Sequence, residues 1–355
     1  YRNGPARWRR PGGDAEHWFD GDGLVRAFRI EDGRATAEAR FVDTAKRRRD
    51  EAANAVVTPG FGTRGRPTAD GVASADDTNP ANISILPVGD QVWALWEAGS
   101  PTRIDPRDLS TGGLVTLRPD LKGMPFLAHP RIEPDGRVWN LGLAGRRAIV
   151  YRLSAAGAVE TAELVDLPRA SYLHDFTATE RHLVIVLQPW LQNAMRLPFV
   201  TSLEWKPEEG TQVLVIDKAD LSRRRLYELP AFAFFHLDDA WEDADGTIRF
   251  VGSVQDRPSL DAAAGAALLA GRDPRMAPPR LARVRLGADG RAGFEPLDTV
   301  AEFPRSDPRR AGGRHALVAH VSGEGLGRPL ARSLAVTDLE RDRVDAFDFG
   351  GEHLT

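Results

Sequence analysis

The stretch FFHLDDAWEDADGTIRFVGSV, residues 234–254, places a histidine, an Asp-Gly pair and a run rich in Ile, Phe and Val in close succession. The final run, TIRFVGSV, has the β-branched and aromatic content of a strand bounded by a turn. Asp-Gly is the favoured pair for a type I′ hairpin turn, because both central residues need positive φ. The same order of histidine followed by a strand-like run recurs in FLAHPRIEPDGRVWNLG (residues 126–142) and YLHDFTATERHLVIVLQP (172–189). Further outward, Asp-Gly pairs stand at Asp32-Gly33, Asp135-Gly136, Asp245-Gly246 and Asp289-Gly290. RVWNLGL (137–143), LVIVLQ (183–188), TQVLVID (211–217) and RLARVRL (280–286) read as further strands. Many short strands joined by hairpins predict an all-β sandwich, barrel or propeller. No fixed-period repeat of the WD type chooses between them.

The repeated pattern puts His129, His174 and His236 at the inner ends of strand-like segments, 45 and 62 residues apart. A β protein that aims one imidazole per hairpin at a shared centre would show this arrangement. Neutral imidazole suits Fe, Zn and Cu, so a histidine-only metal site is the functional expectation. The bland alternative is three separate buried histidines, each bonded to a backbone carbonyl. The spacings rule out a zinc finger or an HExxH site, which crowd their ligands locally.

Composition bounds the remaining possibilities. A chain of 355 residues, 42% hydrophobic, is long enough for a sizeable core, and a propeller of this length forms one domain. The absence of cysteine excludes disulfides and thiolate metal sites. It suits a reducing cytoplasm and equally a periplasm; the cytoplasm is the expected compartment. Net charge is −4, from 47 basic and 51 acidic residues well mixed along the chain, so no nucleic-acid footprint is present. The basic cluster at residues 46–49 reads as a solvated turn or helix. The longest apolar runs, residues 183–187 and 262–270, fall far short of the roughly 20 residues a bilayer span needs.

A set of longer motifs points to a family. They are YRNGP (residues 1–5), HWFDGDGLV (17–25), NPANISILPVGDQVWALWEAGSPTRIDP (79–106), FLAHPRIEPDG (126–136), LHDFTATE (173–180), FFHLDDAWED (234–243) and EFPRSDPRRAGGRH (302–315). Each is weak alone. Together and in this order they resemble the carotenoid cleavage oxygenase family from one end of the chain to the other.

The resemblance implies a seven-bladed β-propeller, capped by loops and helical turns, with Fe(II) held on its axis by four histidines. The iron binds O2, which adds across a C=C bond of an apolar polyene or a stilbene and leaves two carbonyl products. By motif position, His129, His174 and His236 are implied as three of the four metal ligands and catalytic residues. Two glutamates are implied as braces: Glu97 for His174 and Glu302 for His236. A carboxylate on the outer ring nitrogen fixes the imidazole tautomer and strengthens it as a donor.

Departures from the family pattern carry expectations of their own. The family's fourth histidine lies near its C-terminus in a His-Gly-aromatic context, which this sequence lacks. The chain also starts at Tyr1 without the family's leading strand, and it is read as a fragment missing C-terminal strands. His17, His182, His315, His320 and His353 are expected to be structural or solvated. Trp96 stands before Glu97, where stilbene-cleaving members carry a lysine, and no tyrosine lies between Tyr1 and Tyr151. A carotenoid or apocarotenoid is therefore the expected substrate, with a stilbene as the alternative. A propeller that has lost its iron and serves as a binding scaffold is the non-enzymatic reading. Residues 189–200 mix Trp190, Leu191, Met195, Leu197 and Phe199 with one charge, and are expected to expose an apolar patch that touches the membrane beside the entrance. Residues 260–270 read as a short helix stopped by Gly271.

Overall fold

The computed structural model describes residues 1–350 apart from 69–70, 273, 275 and 324–331. Among these described residues six antiparallel sheets follow one another along the chain, with one further two-stranded hairpin. The first pairs Pro5–Ala6, Asp22–Glu31 and Arg34–Phe41, and the second pairs Ser84–Val88, Gln91–Leu95, Thr102–Ile104 and Thr111–Leu114. The third contains Arg131–Ile132, Val138–Ala144, Arg147–Leu153 and Val159–Asp166. The fourth joins Thr177–Ala178, His182–Leu187, Thr211–Asp217 and Arg224–Leu229, with a side hairpin of Trp190–Gln192 and Leu203–Trp205 inserted midway. The fifth runs Ala233–Leu237, Ile248–Gln255, Arg280–Leu286 and Ala292–Val300, and Trp241–Glu242 also pairs with its second strand. The sixth comprises Glu302–Arg305, Leu317–Ser322, Ser333–Asp338 and Arg343–Asp348.

Successive up-and-down sheets of this kind are the blades of a β-propeller. The sequence expectation of seven is corrected to six among the described residues. Each blade consumes one meander of three to five strands, and the strands present make up six such meanders.

Burial grades across each blade. Strand His182–Leu187 carries five consecutive apolar residues, Leu183 to Leu187, all fully buried, as a strand covered on both faces requires. Outer strands such as Arg343–Asp348 are exposed throughout. The largest core cluster packs Leu183, Ile185, Val215, Phe250 and Val284 together with side chains of the third blade. Full burial of each such side chain contributes about 1.5–3 kcal/mol relative to exposure. The core therefore lies where blades three, four and five meet.

The turns refine the hairpin reading. Only Asp32-Gly33 holds both residues at positive φ, +50° and +72°, as a type I′ turn demands. At Asp135-Gly136, Asp245-Gly246 and Asp289-Gly290 the glycine alone is left-handed, and the loop has three residues. Gly136 N–H donates to Glu133 O while Glu133 N–H donates to Arg137 O; Asp243 with Thr247 and Gly287 with Arg291 repeat the scheme. This is the three-residue hairpin that ends in a left-handed glycine. All five expected strands are present, two of them with the expected limits.

The helix expected over 260–270 spans Ala262–Leu269. Asp261 caps it by accepting the Ala264 N–H, and Gly271 follows at φ +65°. The basic cluster forms the first turns of helix Ala45–Ala52, but it is not wholly solvated. Lys46 is buried and pairs with Asp22 at 2.9 Å and Asp50 at 2.8 Å. A buried ammonium needs such partners, and they lie partly on another element that local sequence does not reveal.

Candidate metal centre

The three motif histidines arrive from three neighbouring blades. His129 lies in the loop that enters the third blade, His174 in the loop that enters the fourth, and His236 on the first strand of the fifth. All three are buried. One ring nitrogen from each falls within 4.8 Å of the others. His129 Nε2 lies 2.9 Å from His174 Nε2, and the ring centroids are 4.6, 4.9 and 5.1 Å apart. Among the described residues the other histidines bond elsewhere. His17 contacts the Leu260 and Asp261 carbonyls, His182 contacts Glu242, His315 pairs with Asp238, and His320 contacts Thr337. His353 lies outside the described residues.

Glu97 follows strand Gln91–Leu95 of the second blade and reaches the centre from the side. His174 Nδ1 donates to Glu97 Oε2 at 2.7 Å, which leaves Nε2 with its lone pair turned toward the other histidines. Glu302 begins the first strand of the sixth blade and brings Oε1 to 3.2 Å from His236 Nδ1. That contact is an ion-pair approach, and among the described residues His236 Nδ1 has no hydrogen-bond partner. The other Glu302 oxygen accepts the Phe303 N–H at 2.6 Å. Glu97 thus accepts the outer ring N–H of His174 as expected, whereas Glu302 approaches His236 without forming the expected hydrogen bond.

Sequence reading missed Tyr172. Its hydroxyl donates to Glu97, 3.1 Å from Oε1 and 3.4 Å from Oε2. No tyrosine lies between Tyr1 and Tyr151, but this one stands two positions before His174, with its ring facing the imidazole. That spacing was the available signal. Burial, then the Glu97 charge, pushes the Tyr172 hydroxyl well above the usual phenol range, so it stays protonated as a donor.

Electrostatics favour neutral imidazole at His129. Burial, followed by repulsion from His174 and His236, holds its pKa well below the usual histidine value. For His174 burial acts in the same direction, but the Glu97 hydrogen bond and charge outweigh it and the net shift is upward. Two imidazole nitrogens facing each other at 2.9 Å require a proton or a cation between their lone pairs. Three converging nitrogens and two carboxylates on the outer side fit a divalent borderline metal such as Fe(II) or Zn(II).

The centre opens into a cavity of about 1430 Å³, walled by Phe61, Trp96, Phe199, Phe235, Leu260 and Phe303. Phe303 packs against His236 with ring centroids 4.3 Å apart and the planes tilted by 39°. The 189–200 segment borders this cavity, though not as expected. Trp190 is buried among Tyr172, Val200 and Phe235, because its strand pairs with Leu203–Trp205 and its carbonyl accepts the Tyr172 N–H. Leu191 and Phe199 are half-buried, while Met195 and Leu197 are 68% and 54% exposed at the rim. The expected patch thus reduces to two residues.

Comparison with known proteins agrees with this architecture. The family described as "Retinal pigment epithelial membrane protein" matches residues 1–355. The chain is 27% identical over 292 residues to the carotenoid isomerooxygenase of Galleria mellonella, covering 74% of this chain and 57% of that protein. It is 28% identical over 331 residues to the isoeugenol monooxygenase of Pseudomonas putida, covering 90% and 68%. It is 28% identical over 264 residues to the apocarotenoid-15,15'-oxygenase of Synechocystis, covering 67% and 52%. The chain therefore spans little more than half the length of two of these relatives. The crystal structure of cobalt-substituted Synechocystis ACO superposes with a TM-score of 0.86 at 23% identity, covering 98% of this chain and 77% of that one. With its motifs in order, its blades in sequence and the family match running from end to end, the chain belongs to the carotenoid cleavage oxygenase family.

Proposed function

We propose that the protein is a non-heme Fe(II) dioxygenase that cleaves a C=C bond of a carotenoid or apocarotenoid to give two carbonyl products. The observation that carries this reading is the convergence of buried His129, His174 and His236 at an apolar cavity of about 1430 Å³. That volume exceeds the roughly 300–1,000 Å³ of ordinary small-molecule pockets, which suits a long polyene. Bound Fe(II) would be held by the three imidazoles and would supply activation of O2. The chain's own residues do the rest. Glu97 keeps the proton on His174 Nδ1, and Tyr172 in turn holds Glu97 in place. The aromatic walls orient the chain of the substrate and exclude water, since apolar burial is their main interaction with a hydrocarbon.

A second reading has specific support. The Tyr172 hydroxyl beside Glu97 offers a polar contact that a phenolic stilbene or other aryl alkene would use, and isoeugenol monooxygenase is the relative that matches 90% of the chain. Substrate panels of polyenes and aryl alkenes, with product identification, separate the two.

The same proposal treats the chain as one propeller domain whose ring is completed by a seventh blade, with a fourth imidazole for the metal. Phe28 and Ile30 on the first sheet and Leu334 and Phe347 on the sixth are exposed apolar side chains that a further blade would cover. It also includes peripheral contact with lipid through the rim residues. No helix among the described residues is long and apolar enough to cross a membrane.

His129→Ala should abolish iron binding and oxygenase activity while leaving the fold, read by circular dichroism, unchanged. Retention of full iron and turnover by this variant overturns the assignment.

A further inference from the structure

Arg131 stands two residues after His129, is buried, and directs its donors at the other two ligand-bearing segments. Its Nε donates to the Phe176 carbonyl at 2.6 Å. One terminal nitrogen donates to Asp175 at 2.7 Å and to the Leu237 carbonyl at 3.2 Å, and the other donates to Asp239 at 3.0 Å. Asp175 closes the circuit by accepting the N–H groups of Leu237 at 2.9 Å and Phe176 at 2.8 Å. Asp175 and Phe176 directly follow His174; Leu237 and Asp239 follow His236. One guanidinium thus ties together, within three residues of each ligand, the backbones that carry all three histidines.

We propose that Arg131 is the positioning residue of the metal centre, setting the mutual register of His129, His174 and His236 without touching the metal. The proposal rests on the reading that these histidines hold a metal. A planar guanidinium offers its donors in a fixed fork, so partners bonded to it are held at fixed relative positions. Burial makes the arrangement stiff, because neither Arg131 nor Asp175 can give up its partner without leaving a charge unpaired out of water. A donor set displaced by an ångström binds its metal poorly even when every ligand is present. A merely structural ion pair would instead affect stability and leave metal affinity alone.

The test is titration of the metal-free protein with Co(II), read by the visible d–d bands, alongside the melting temperature of each variant. Asp239→Ala should weaken Co(II) binding about tenfold and Arg131→Met about 100-fold, the range of losses from residues that orient metal ligands. Arg131→Lys, which keeps the charge but loses the fork, should fall between the parent and Arg131→Met and should shift the cobalt bands. Lys46→Met breaks a comparably buried ion pair outside the ligand segments. It should lower the melting temperature and leave Co(II) affinity unchanged. The Asp239 side chain is 18% exposed, so water can replace it and Asp239→Ala decides the matter even if Arg131→Met fails to fold. Parent-like Co(II) affinity and spectrum in Asp239→Ala and in any folded Arg131→Met overturn the proposal alone, as does an equal loss in Lys46→Met. Failure of the parent to bind Co(II), or undiminished binding by His129→Ala, overturns the metal reading and the proposal with it.

Discussion

Glu97 accepts from both His174 and Tyr172, so one carboxylate sets the tautomer of His174 and is itself held by a phenol. Glu97→Gln keeps the shape of the side chain but removes the negative charge opposite the ring N–H. It should lower metal affinity or activity by about 10–100-fold, checked by iron content and turnover; undiminished values would show that the contact carries no weight at the metal. His315 illustrates a different use of an imidazole. Burial opposes its charging, but its 3.0 Å contact with Asp238 prevails and raises its pKa above 6.5. A group whose folded pKa is raised contributes stability fully below its unfolded value, and that contribution is lost as the pH rises through the folded value. His315→Gln should therefore destabilise the protein more at about pH 6 than at about pH 9. Denaturant unfolding at the two pH values measures this, and equal deficits would remove the charge from the account.

Strand Val138–Ala144 shows how an element passes its packing on to the site. Gly142 lies against the segment that leads to His129: a Cβ placed on it would meet the Pro125 carbonyl oxygen at 2.0 Å and the Tyr151 ring at 3.0 Å. Tyr151 in turn donates to that same carbonyl at 3.1 Å. A glycine here permits a close backbone approach that any side chain would block. Gly142→Ala should cost about 1–3 kcal/mol of stability by overpacking. It should also weaken metal binding, because residue 125 must move and His129 is four residues on. Unfolding curves and Co(II) titration check both halves, and a variant with parent stability would show that the strand yields without cost.

At the scale of the molecule, the candidate centre draws on five of the six blades among the described residues: Glu97 from the second, the three histidines at the third to fifth, and Glu302 from the sixth. The geometry of this candidate centre is thus a property of how blades are arranged about the axis, and no blade alone contains it. The mouth of the cavity is equally composite. With Trp190 buried, the apolar rim offered by residues 189–200 reduces to Met195 and Leu197. Replacing both with Ser should reduce binding to liposomes and turnover of membrane-held substrate, while turnover of a detergent-dispersed one is preserved. Liposome binding equal to that of the parent would place lipid contact on another face.

What local sequence determined about this protein is what local forces control. Alternation and turn chemistry marked TQVLVID and RLARVRL as strands because side-chain period and left-handed glycines act within a few residues. The short helix before Gly271 was legible for the same reason. The segments carrying His129, His174 and His236 could be named because each motif is local, and their meeting at one point agrees with the resemblance that suggested it. Other features needed the tertiary structure. The sequence pattern showed neither the number of blades nor the inward turn of Trp190. It also left unseen the buried pairing of Lys46 with Asp22, the Tyr172–Glu97 bond and the fan of contacts from Arg131. Each depends on groups far apart in the chain, brought together by packing of whole sheets. The free energy of that packing is shared among many contacts, so no short stretch of residues encodes it.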